Sequence, residues 1–257
     1  MIDSATMFRR NLRHVLRYPS MIVGTLSVPV IMLLLFSYIF GNTMSAGVGA
    51  AAGSADYIDY LVPGILLMTI ASGAVQTAVS IRMDMNEGIV NRFRTMPVSR
   101  TSVVTGHVFG SVVQNVVVVV LVIGVGLALG FRPTAGLVEW VAVAGLVLLV
   151  SFAITWLAVA LGLVAKTVEG ASNTPLPLSF LLPFVSTTFI PLESLPSGTR
   201  WFAEYQPYTP IIETLRGLLI GGPIGHNGWL AAGWGVVLTV VGYLWSKKLF
   251  NRDPQPH

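Results

Sequence analysis

The sequence predicts an all-α membrane protein: six transmembrane helices with an N-terminal interfacial amphipathic helix and a re-entrant helical hairpin before the last span. Three observations predict it. Only 10% of the 257 residues are charged while 54% are hydrophobic, and the mean hydropathy is +0.76; a soluble globular chain carries about 25% charged residues. Six stretches hold no Asp, Glu, Lys or Arg at all: 18–55, 60–81, 101–131, 140–165, 170–192 and 217–246. Each is longer than the roughly 20 residues that cross about 30 Å of hydrocarbon at about 1.5 Å per residue. Basic residues, finally, concentrate in alternate loops, as the positive-inside rule requires of a multi-pass chain. The whole of 1–257 reads as one membrane domain.

The first element lies before the first span. Phe8, Leu12, Val15 and Leu16 recur at i, i+4, i+7 and i+8, one face of a helix over 5–18, with Arg9, Arg10, Arg13 and Arg17 on the rest. Such a helix lies in the interface with its arginines near anionic lipid heads. A plain topology signal would have the same composition, and the two readings are compatible. The arginines also resemble the basic start of a secretory signal, and 47–55 offers small residues for cleavage. The apolar run is well past the 7–15 residues usual for such a signal, so an uncleaved span is expected.

The spans are predicted near 21–41, 60–82, 103–129, 139–165, 172–191 and 229–247. The valine run 116–120 alone would suit a buried strand, but an open sheet edge in lipid leaves backbone groups unsatisfied, which favours helix. Orientation follows from charge. Arg9, Arg10, Arg13 and Arg17, then Arg82, Arg92, Arg94 and Arg100, then Lys166, and finally Lys247, Lys248 and Arg252 fall on one side, twelve of the 15 basic residues. Arg132, Arg200 and Arg216 fall on the other. Both termini are therefore expected in the cytoplasm.

Two connections stand out. The cytoplasmic loop 82–100 reads RMDMNEGIVNRFRTMPVSR. Asp84 and Glu87 come early and Arg92 and Arg94 late, as a helix dipole prefers, and Pro97 then stops the helix. A solvated connecting helix and a docking lever fit this composition equally. The external segment 190–220 carries Pro191, Pro196, Pro207 and Pro210 among Trp201, Phe202, Tyr205 and Tyr208. It is too apolar for a free loop and too broken for a span. Short helices dipping into the outer leaflet satisfy both facts, provided protein or a cavity covers their backbone.

Polar residues inside the spans are sparse and uncharged: Thr69, Ser72, Gln76, Thr77, Gln114, Asn115, Ser186, Thr187 and Thr188. Ion-driven carriers usually need ionisable groups in the membrane, and only His107, near a cytoplasmic end, qualifies. Gly106 with Gly110, and Gly126 with Gly130, have the small-xxx-small spacing of close helix packing. No G-x-x-x-x-G-K-[ST] phosphate loop, H-E-x-x-H or G-x-S-x-G occurs, the four histidines are scattered, and cysteine is absent. A chain with no catalytic machinery and no cofactor of its own is expected, with no nucleic-acid partner. An ion-coupled carrier or channel and a non-transporting scaffold are the rival classes. Scarce intramembrane charge disfavours the first, and the broken aromatic hairpin the second.

Two segments resemble the type-2 ABC exporter permease family, which includes daunorubicin-resistance transmembrane subunits. NEGIVNRFRTMPVSR at 86–100 is similar to that family's acidic–Gly stretch, basic helix and P-x-S-R ending. IPLESLPSGTRWFAEYQPYTPIIETLRGLLIG at 190–221 resembles its proline-rich region before the last span. Asn86 stands where such proteins often have a basic residue. The resemblance implies that Asp84, Glu87, Gly88, Arg92, Arg94 and Pro97 couple the chain to an ATPase. It implies that Pro191, Pro196, Pro207, Pro210 and Arg216 shape the re-entrant hairpin. Thr69, Ser72, Gln76, Ser186, Thr187 and Thr188 would line a pathway between two permease subunits. The expected partners are an ABC ATPase subunit holding ATP and Mg2+, a second permease and membrane lipid. The expected place is a bacterial cell membrane, and the expected activity is export of a hydrophobic or amphipathic drug, antibiotic or lipid.

Overall fold

The computed structural model describes residues 19–39, 57–86 and 100–250. Among them every regular element is helical. Helix α1 (Pro19–Leu34) runs on through a π turn at Leu35–Ile39, and α2 (Tyr57–Asn86), α3 (Arg100–Leu129) and α4 (Leu137–Val164) follow. Short helices α5 (Val168–Asn173), α6 (Leu182–Phe184), α7 (Ser197–Tyr205) and α8 (Tyr208–Arg216) lead to a final long helix, α9 (Asn227–Phe250). Four of the described helices, α2, α3, α4 and α9, are long and apolar enough to cross a membrane, and Gly24–Ile39 is a shorter apolar helix. The predicted interfacial helix over 5–18 lies outside the described residues.

Helix α2 is the axis of the bundle. Its apolar window is 83% buried, against 33% for α3 and 17% for α9, and α1, α3, α4, α5 and α8 all pack on it. Side-chain contacts fix the register of its neighbours. Helix α3 runs antiparallel: the Arg132 N–H donates to Asp59 at 2.9 Å, Val62 meets Gly126, Asn115 fills the notch at Gly73, and Thr77 donates to Ser111 at 3.0 Å. Helix α4 runs parallel to α2, with Gly162 against Ala78 and Arg82 donating to the Lys166 carbonyl at 2.6 Å. Helix α9 lies parallel to α4, with Gly235 on Leu149 and Gly242 on Trp156 and Leu157. Lipid gives helices little hydrophobic reason to associate, so close approach at small residues does this work.

The predicted glycine pairs divide. Gly106 and Gly110 are both buried. Gly126 packs, but Gly130 has φ +112° and ends α3 instead. Phe131 N–H donates to the Gly126 carbonyl and Gly130 N–H to that of Leu127, a Schellman closure that needs a left-handed residue at this position. Phe131 is then folded wholly into the core.

The fifth predicted span, 172–191, is not a continuous helix. It breaks into α5, a π turn at Pro177–Leu181, the single turn of α6 and irregular backbone to 190. Pro175, Pro177 and Pro183 each lack an N–H. The Leu178 carbonyl is freed because the Leu182 N–H goes to Pro177 and residue 183 is proline. Even so, the segment runs back along the full length of α2: α5 packs at one end, Ser179 Oγ donates to the Ala71 carbonyl at 2.8 Å, and Tyr57 Oη reaches the Phe189 carbonyl at 3.1 Å. Side chains from the next helices close the remaining gaps. Tyr208 Oη donates to the Leu178 carbonyl, and Gln206 Nε2 to those of Leu182 and Val185 at 3.3 and 2.8 Å. Broken backbone at membrane depth is tolerable only when covered in this way.

Candidate functional site

Most of the described residues singled out by sequence fall in two regions, one at each end of α2, with Thr69, Ser72 and Gln76 between them. At its C-terminal end, Glu87, Gly88, Arg92, Arg94 and Pro97 lie outside the described residues. Asp84 lies inside them and is already engaged: its carboxylate meets His107 Nε2 of α3 at 2.7 Å, both side chains largely buried. Together with Thr77–Ser111 this ties α2 to α3 next to the ends that flank residues 87–99. Sequence reasoning singled out both residues and missed the pair. Antiparallel counting from the loop, with both residues facing inward, is the signal that would have found it.

At the opposite end, the prolines act locally. Pro191 and Pro196 precede the 3₁₀ turn Leu192–Ser194 and α7; Pro207 precedes α8, and Pro210 sits in its first turn. These are positions where a missing N–H costs no helical bond. Helix α8 is almost wholly buried against α2 and α9, whereas α7 leaves Trp201, Phe202 and Tyr205 exposed. The hairpin thus has one packed arm and one aromatic arm open to its surroundings.

Arg216, at the end of α8, joins three elements. Its Nε and Nη2 donate to the Tyr60 carbonyl at 3.3 and 3.1 Å, Nη2 also to the Thr187 carbonyl at 2.8 Å, and Nη1 to Glu213 at 2.5 Å. Its Cζ lies 3.6 Å from the centroid of the Tyr60 ring. A guanidinium has five N–H donors in a rigid fork, and four contacts with a stacked face account for nearly all of it. Tyr60, 156 residues away in sequence, is the functional neighbour that sequence reasoning missed.

The candidate pathway residues separate. Ser186, Thr187 and Thr188 come together beside Arg216; Ser186 and Thr188 bond each other at 2.8 Å, and Thr188 presses on Gly64, where an added Cβ would lie 2.6 Å from its methyl. Thr69 is fully buried with its hydroxyl on the Ile65 carbonyl. Ser72 bonds the Met68 carbonyl and is half-buried, as is Gln76. These three lie along the middle of α2 and do not join the 186–188 cluster.

Beside Arg216 opens a cavity of about 460 Å³ between the hairpin, the start of α2 and the turn before α9. Tyr60, Thr187 and Thr209 line it, as do Glu193, Glu204 and Glu213.

Residues 4–220 match the ABC-2 type transporter family. The chain belongs to that family. It is 28% identical over 204 residues to a daunorubicin-resistance ABC transporter permease protein of Streptomyces coeruleorubidus, covering 79% of this chain and 70% of the relative. It is 26% identical over 208 residues to a probable doxorubicin-resistance ABC transporter permease protein of Mycobacterium tuberculosis, covering 79% and 71%. It is 25% identical over 205 residues to an inner membrane transport permease of Escherichia coli K12, covering 79% and 78%. The chain is thus a multi-pass membrane permease subunit of an ABC transporter, and the four long apolar helices among the described residues agree. ABC-2 permeases work with an ATP-binding partner. This permease contributes membrane passage, and the Asp84–His107 root and the Arg216 junction are the two braced ends of its central helix.

Proposed function

We propose that two copies of this permease, identical or related, form the membrane half of an exporter driven by separate ATPase subunits that hold ATP and Mg2+. The chain crosses a bacterial cell membrane six times with both termini in the cytoplasm. The fifth crossing is the broken segment before the hairpin, and 190–220 re-enters the outer leaflet. Each ATPase docks on the 82–100 loop through Glu87, Gly88, Arg92 and Arg94, with Pro97 closing the docking helix. Asp84 acts at the root of that lever, where its pairing with His107 passes the loop's movement to α2 and α3 together. Ser72 and Gln76, half-buried on α2, face the pathway between the subunits. The cargo is a hydrophobic or amphipathic compound: a drug, an antibiotic or a lipid.

The observation that supports this reading best is the similarity to drug-resistance permeases over 79% of the chain. The test is a pull-down of the tagged chain in mild detergent, intact and with 87–99 replaced by a Gly/Ser linker that spares Asp84. The intact chain should recover a protein whose mass-spectrometric sequence contains a G-x-x-x-x-G-K-[ST] phosphate loop, and the linker variant should recover none. Failure of the intact chain to recover such a protein would overturn the exporter reading.

A further inference from the structure

The face that α3 buries is nearly uniform. Among its described positions the buried side chains are Val108, Val112, Val118, Val119 and Val122, with Asn115 the exception, and the other buried positions are glycine. Such a face packs almost as well one turn along. A shift of four residues lays Val112, Val116, Val122 and Ile123 where Val108, Val112, Val118 and Val119 were. In lipid, moreover, helices gain little from apolar burial against each other, so shape and polar contacts decide the fit. Valine alone would leave the register of α3 against α2 open.

Three polar side chains at i, i+4 and i+8 break the uniformity: His107, Ser111 and Asn115. Each meets one place on α2. His107 Nε2 lies 2.7 Å from the Asp84 carboxylate, and the Ser111 and Thr77 hydroxyls lie 3.0 Å apart. Asn115 fills the notch at Gly73, where an added Cβ would collide with its Oδ1. The other glycine of α2, Gly64, is already covered by Thr188, so one register alone seats the amide. Stability does not explain the asparagine. It is 3% exposed, and its Nδ2 has no hydrogen-bond partner among the described residues, a cost that valine would avoid. In coiled coils a single buried asparagine specifies register at just such a cost in stability.

We propose that His107, Ser111 and Asn115 form a register lock, which holds α3 at one of the several positions along α2 that its valine face accepts. The ends of these two helices flank residues 87–99. A slip of one turn, about 5 Å, would displace one end of that connection against the other. The lock is a property of this chain and holds whether or not an ATPase docks.

The test uses the full chain in phosphatidylcholine nanodiscs. Because it has no cysteine, spin labels can be attached through Met83→Cys on α2 and Val120→Cys on α3, both exposed positions. Pulsed electron–electron double resonance, with labelled chains diluted in unlabelled ones, then reads the distance within one chain. The otherwise wild-type sequence should give one narrow distance. H107V/S111V/N115V should add a second, about 5 Å away, as α3 slips by a turn. N115V alone should broaden the distribution while melting no lower than wild type, a combination that a merely stabilising residue would not produce. Gln114→Val, at a half-buried position beside the seam, should change nothing. A single unshifted distance in the triple variant would mean that valine packing fixes the register by itself, and would overturn the proposal. So would two distances without any of these substitutions, or a second distance in Gln114→Val. If the triple variant does not fold, N115V decides: an unbroadened distance or a melting point clearly below wild type overturns the lock.

Discussion

Arg216 shows how one side chain can hold a broken region together. A guanidinium taken out of water is stable only if its donors and charge are met, and here Tyr60, Thr187 and Glu213 meet them from three parts of the chain. Lysine offers a point charge with no planar face. It cannot reach both carbonyls and Glu213 while stacking on Tyr60. Arg216→Lys is therefore expected to cost about 2 kcal/mol, read as a lower thermal midpoint of the detergent-solubilised chain, and Arg216→Ala to cost more. A lysine variant that melts with wild type would mean these contacts stabilise nothing. The arginine is marked in the sequence by the resemblance of 190–221 to the permease family. Tyr60 was not, because nothing local marks an aromatic residue in a span as the platform for a cation far along the chain. The Asp84–His107 pair escaped for a related reason: its members are 23 residues apart on different helices, and only the α2–α3 register brings them together.

Among the elements, those that length and charge define were legible. The predicted spans 60–82, 103–129, 139–165 and 229–247 fall within a few residues of the observed bounds of α2, α3, α4 and α9, because lipid forces backbone bonding inside each segment. The segment predicted as the fifth span was not legible as a broken element. Its run from 170 to 192 is as apolar as the others, and hydropathy does not register where Pro175, Pro177 and Pro183 remove donors. Glycine spacing likewise marked Gly126 and Gly130 but not Gly162, whose role depends on a partner helix. A Cβ at Gly162 would lie 2.6 Å from the Ala78 carbonyl oxygen and 3.0 Å from its Cα, so the backbones of α4 and α2 would have to part. Gly162→Ala is expected to destabilise by about 1–3 kcal/mol, as overpacking does. On the same helix Gly145 has open space around it, and Gly145→Ala should be neutral or stabilising by up to about 1 kcal/mol. Thermal unfolding of the two variants side by side decides this. Equal effects would mean the α2–α4 contact tolerates a methyl group.

Across the whole molecule, the charges are mixed at both ends but unequal. Arg82, Lys166, Lys247 and Lys248 outnumber Asp84 and Glu169 at the end where α2, α4 and α9 finish, whereas Asp59, Glu139, Glu193, Glu204 and Glu213 outnumber Arg132, Arg200 and Arg216 at the other. On the orientation proposed above, the positive-inside rule puts the first of these ends in the cytoplasm. The low burial of α3 and α9 leaves rows such as Val117, Val120 and Leu121, and Val236, Val237 and Val240, for lipid or a second subunit. Because the chain has no cysteine, single cysteines report orientation without background. Ser197→Cys, exposed on α7, should react with a membrane-impermeant maleimide on intact cells. Glu169→Cys, exposed on α5, should react only after permeabilisation. The reverse pattern would invert the permease. Labelling of both from outside would mean that the broken segment between them does not cross the membrane, leaving five crossings and termini on opposite sides.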